Sequence, residues 1–79
     1  MVLISGVNVT FTNGIGVITW GGYVSKSPSA AIPVMRYENT VYDCTLTVQI
    51  VDSRIILYAR SNGAIFEGKL ALDILLIMS

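Results

Sequence analysis

The chain has 79 residues and zero formal net charge, five Lys/Arg against five Asp/Glu; 53% of it is hydrophobic, only 13% is charged, and it has one cysteine and no histidine. These figures exclude an internal disulfide, a nucleophile activated by histidine and the basic footprint of a nucleic-acid binder. The charged share is about half the usual ~25%, so a single domain over 1–79 is expected to expose apolar contact patches and to lean on oligomerisation for support.

No metal or cofactor is expected, since a lone cysteine without histidine cannot build a zinc site. The opening MVLISGVNV lacks the basic segment of a signal peptide. The longest apolar run, Ile74 to Met78, is far short of the roughly 20 residues of a membrane helix, so membrane insertion is not expected either.

In chain order, Val7 to Thr12 alternates, with Val7, Val9 and Phe11 on one face and Asn8, Thr10 and Thr12 on the other. That is the period of a half-buried strand. Asn13-Gly14 predicts a tight hairpin, because both residues tolerate positive φ. Gly16 to Ser25 is then the return strand, with a bulge or a close backbone approach at Gly21-Gly22. Lys26 to Pro33 reads as the main loop and Val34 to Tyr37 as a short strand before the turn Glu38-Asn39-Thr40. Val41 to Asp52 is the clearest strand: Tyr42, Cys44, Leu46, Val48 and Ile50 share the apolar face. Asp52-Ser53 turns the chain into Arg54 to Arg60, where Ile55, Leu57 and Ala59 face inward. Ser61-Asn62-Gly63 predicts another hairpin, Ala64 to Gly68 a short strand and Lys69 to Met78 the last one. No segment holds a helical period, and the whole reads as an all-β, small antiparallel sandwich or barrel of about seven strands, jelly-roll-like.

Candidate chemistry is sparse. Cys44 lies on the apolar face of its strand and reads as a buried, inert thiol. The carboxylates Glu38, Asp43, Asp52, Glu67 and Asp73 suggest no flanked cleft of the kind glycoside hydrolysis needs, so no enzyme activity is expected. The polar loop around Tyr37 to Asn39 is different. A sugar site needs a ring face to stack on and planar polar groups to meet hydroxyls; Tyr37, Glu38, Asn39, Asp43 and Arg60 supply both. An ordinary solvated turn is the competing reading of the same residues.

The segments VTFTNGIGVITWGGYVS, AAIPVMRYENTVYDCTLT and IILYARSNGAIFEGKLALDILLI together resemble the head domains that end bacteriophage tail fibres and receptor-binding proteins, siphophage heads among them. The resemblance is one of strand and turn order, with no diagnostic motif. It implies a homotrimeric β-barrel head at the virion tail tip, whose partner is a host cell-surface saccharide. The alternative expectation is a purely structural oligomerisation or capping module of a viral or bacterial assembly.

The closing stretch, LALDILLIMS, is apolar on both faces of a strand except at Asp73. Leu70, Leu72, Ile74, Leu76 and Met78 are expected to fill the core, and Ala71, Leu75 and Ile77 to meet neighbouring protomers. An unpaired carboxylate at such a place is costly, so Asp73 is expected to pair with Lys69, Arg54 or a hydroxyl across the interface.

Overall fold

The computed structural model describes residues 1–39 and 43–78. Seven strands occur among them: β1 (Val2–Phe11), β2 (Ile15–Thr19), β3 (Ala30–Met35), β4 (Cys44–Val51), β5 (Arg54–Ser61), β6 (Ala64–Ile65) and β7 (Gly68–Ile77). They form two antiparallel sheets. One has the order β1-β7-β3; in the other, β5 lies between β4 on one edge and β2 with β6 on the other.

The hairpins follow the sequence signals. Asn13 and Gly14 take φ of 56° and 79°, and Asn62 and Gly63 take 53° and 82°. Positive φ at both central residues gives the turn a twist that matches its flanking strands. The first of these turns carries the chain from one sheet to the other, so Gly16 of β2 lies directly over Val9 and Phe11 of β1.

The core lies between the sheets. One sheet contributes Ile4, Val9, Phe11, Leu70, Leu72, Ile74 and Leu76, and the other contributes Ile55, Leu57 and Ala59, all buried. Each large aliphatic residue so buried contributes about 1.5–3 kcal/mol. Phe66, just beyond β6, closes one end with an edge-to-face contact on Phe11, ring centroids 6.0 Å apart. Trp20 closes another part: its indole N–H donates to the Asp52 carbonyl at 2.9 Å, and its amide donates to Ser53.

Three elements differ from expectation. The first strand begins at Val2, not Val7. Its apolar pattern changes phase between Ile4 and Val7, where Ser5 and Gly6 together oppose the single residue Asp73. This bulge, with Gly6 at φ +70°, turns both Ile4 and Val7 toward the core; a regular strand would send them to opposite faces. The return strand stops at Thr19 and continues as a single 3-10 turn, Trp20–Gly22, in place of a Gly-Gly bulge. Finally, the expected loop up to Pro33 is partly strand, because β3 starts at Ala30. Pro33 is tolerated because β3 is an edge strand. Arg36 donates its amide to Ala71, so alternation along β3 points the Pro33 nitrogen away from β7, where no donor is required.

Of the clearest predicted strand, Cys44–Val51 is strand; Val41 and Tyr42, the latter an expected core residue, lie outside the described residues. Cys44, Leu46, Val48 and Ile50 do face inward but are only half-buried. The sandwich is open on that side: β3 packs near β4, yet no ladder joins them among the described residues.

Candidate functional site

The five residues singled out from the sequence fall into two groups. Tyr37, Glu38 and Asn39 follow β3 in one turn. Tyr37 stands 87% exposed. Glu38 accepts a hydrogen bond and ion pair from Arg36 Nε at 2.9 Å. Asn39 is 8% exposed and serves the backbone. Its side-chain oxygen accepts from the Ala71 amide at 2.8 Å, while its nitrogen donates to the Ala71 and Arg36 carbonyls at 2.7 and 2.9 Å. The side chain thus extends the β3–β7 ladder beyond the end of β3, standing in for a peptide group. Its amide is committed at both ends.

Asp43 and Arg60 form the second group, at one end of the β4–β5 hairpin, where Cys44 pairs with Ser61 and Thr45 with Arg60. Ser61 Oγ donates to Asp43 Oδ1 at 2.9 Å, and Arg60 Nη1 donates to the Gly63 carbonyl at 3.3 Å. No hydrogen bond or ion pair joins the two groups, and no cavity lies between them, among the described residues. Nor do the described residues gather three or more potential metal ligands, and no helix among them is long and apolar enough to cross a membrane.

Cys44 is half-buried rather than buried. Burial, assisted by the neighbouring charge of Asp43, pushes its thiol pKa up, which favours the unreactive thiol over the nucleophilic thiolate.

Sequence reasoning singled out Asp73 as a carboxylate in need of a partner but did not find the partners that the fold supplies. Asp73, in the middle of β7, points to the outer side of its sheet. Its Oδ1 accepts from the Gly6 amide at 2.8 Å and from Arg36 Nη1 at 2.8 Å. Ser5 Oγ lies 3.5 Å from the same guanidinium nitrogen. The Gly6 bond, then the Arg36 bond, hold the Asp73 carboxyl below its usual pKa, and the two carboxylates raise that of Arg36. This corrects the expected pairing with Lys69, Arg54 or a hydroxyl of another protomer. The bulge brings an unpaired amide to the carboxylate, and the β3–β7 register sets Arg36 diagonally beside it. The available signal was the phase change at Ser5-Gly6.

Around this cluster the outer side of the β1-β7-β3 sheet is apolar. Leu3 of β1, Leu75 of β7 and Ile32 of β3 are paired side by side across all three strands. Leu3 is 58% exposed, Ile32 45% and the adjacent Val34 51%. The other sheet exposes Ile15, Val17 and Ile65 beside Tyr58, whose hydroxyl donates to Gln49 at 2.9 Å.

No protein-family model, curated protein or solved structure matches the chain. The arrangement of its own residues therefore carries the functional argument.

Proposed function

We propose that this chain is a non-enzymatic assembly module: copies of it associate through the outer side of the β1-β7-β3 sheet. The carrying observation is the row Leu3–Leu75–Ile32, an unbroken apolar band across all three strands. An exposed apolar band of this kind on a small chain marks a contact surface. The charges beside the band are already paired within the chain, Arg36 with both Asp73 and Glu38, so closing this face leaves no ion without a partner. A homotrimer is the closure that the resemblance to receptor-binding heads implies.

The test is solution mass by light scattering for the wild type and Ile32→Lys. An oligomer that Ile32→Lys dissociates supports the proposal. A wild-type monomer at micromolar concentration, or an oligomer indifferent to Ile32→Lys, overturns it.

A second reading is favoured by Tyr37, whose exposed ring stands beside the Arg36–Glu38 pair. In that reading the assembly is a phage receptor-binding head and the turn contacts a cell-surface saccharide, with multivalency raising a weak affinity. Binding on a glycan array that Tyr37→Ala abolishes supports it; absence of binding by a folded oligomer rejects it.

A further inference from the structure

We infer that β4 is a second contact surface, independent of the apolar face: two copies of the chain join their β4 strands edge to edge, antiparallel, about a two-fold axis at Thr47. The first ground is the backbone. The Ala59 amide donates to Gly14 and its carbonyl accepts from Phe66, so the odd-numbered residues of β5 bond toward β2 and β6. Alternation then assigns the even-numbered residues of β5 to β4. Those residues pair with Thr45, Thr47, Gln49 and Val51. The amides and carbonyls of Cys44, Leu46, Val48 and Ile50 therefore point out along the free edge, and none has a backbone partner among the described residues.

The second ground is the absence of the usual protection. Natural edge strands are blunted by charges, prolines, bulges or short length. β4 has eight residues, CTLTVQIV, with no charge, proline or glycine, and its register against β5 runs without a bulge from end to end. The other edges are guarded. β3 carries Pro33 with its nitrogen facing out, β1 is bent at Gly6, and the edge shared by β2 and β6 is split between two short strands.

The third ground is self-complementarity, which selects a second copy as the occupant. With Thr47 opposite Thr47 of the other copy, Thr45 meets Gln49, Leu46 meets Val48 and Cys44 meets Ile50. The outward pairs are hydroxyl and amide groups that can bond across the seam, and the inward pairs are apolar. No like charges oppose each other within the strand. The inward pairs would also cover Cys44, Leu46, Val48 and Ile50, the inward-facing residues that β4 leaves half-exposed.

Three variants and solution mass test this. Thr47→Lys places two ammonium groups at the axis. Val48→Pro removes an amide that β5 does not use, and the preceding Thr47 is already extended, as a residue before proline prefers. Each is expected to halve the mass of the wild-type particle while leaving the far-ultraviolet β signal unchanged. In a Cys44→Ser background, Thr47→Cys is expected to form an intermolecular disulfide on mild oxidation, since a directly opposed antiparallel pair of this type brings side chains close. The Ile32→Lys variant, which addresses the apolar face, should still give this covalent dimer, so the two contacts fail separately. A wild-type monomer, a particle with an odd number of chains, a mass unaffected by a folded Thr47→Lys, or no crosslink in the Thr47→Cys variant overturns the inference.

Discussion

The Gly6 amide donates to Asp73 Oδ1 at 2.8 Å, across 67 positions of sequence. The bond fixes the one irregularity of β1 against the middle of the central strand β7. Because it lowers the Asp73 pKa from 3.8, it also makes folding depend on pH. At pH values between the depressed folded value and 3.8, the unfolded chain binds more protons than the folded one, so stability falls as pH falls. The contribution is complete well above pH 3.8 and is lost as pH drops through the folded value. Urea midpoints measured from neutral pH downward should show this loss in the wild type. Asp73→Asn should start lower at pH 7 and show a flatter acid limb; equal slopes would contradict the assignment.

Asn39 gives a prediction that separates stability from binding. It completes both hydrogen bonds of the Ala71 peptide edge while nearly buried. Asn39→Ala leaves the Ala71 amide without a partner, while the Ala71 carbonyl keeps the Arg36 amide, and should cost about 1–3 kcal/mol in urea denaturation. Asn39→Asp keeps the acceptor but loses the donor, so it should destabilise the fold as well. A neutral Asn39→Ala would mean that water replaces the amide without loss.

The glycines divide sharply. A Cβ on Gly16 would stand 2.5 Å from Val9 Cγ1 and 3.0 Å from the Phe11 ring. Overpacking of this kind typically costs about 1–3 kcal/mol. Gly21 has nothing within 4 Å of the same position, so Gly21→Ala should stay within about 0.5 kcal/mol of wild type. Thermal or urea unfolding of the two variants side by side is the check.

The two sides of the β1-β7-β3 sheet should respond oppositely. Leu72→Ala opens a cavity at a fully buried site and should cost about 2–5 kcal/mol. Ile32→Ser, on the exposed side, should change the unfolding free energy of the protomer by no more than about 0.5 kcal/mol while lowering the solution mass. Denaturation and light scattering on the same samples distinguish the two effects.

Much of the architecture was legible from residue pattern because it rests on local rules. Alternation in Arg54 to Arg60 placed Ile55, Leu57 and Ala59 inward, and all are buried. Asn-Gly pairs located two hairpins because so few residues accept positive φ. The closing segment showed its inward set, Leu70, Leu72, Ile74 and Leu76, through the same period. The candidate site was less legible. Tyr37 and Glu38 do stand on the surface, but Asn39 belongs to the backbone ladder, and Asp43 and Arg60 belong to another hairpin. Chemical type marks a residue as able to bind a ligand; it does not reveal that a distant peptide group already occupies it.

The sequence by itself determined that the chain folds as β-structure with an apolar excess, since period, turn residues and composition are properties of neighbours along the chain. Only the tertiary structure decided which strand is central, which edge is left open and which cation meets Asp73. Those depend on the register between segments as far apart as Gly6, Arg36 and Asp73. Register is set by how all the side chains pack together, and a one-residue slip would send each of them to the opposite face.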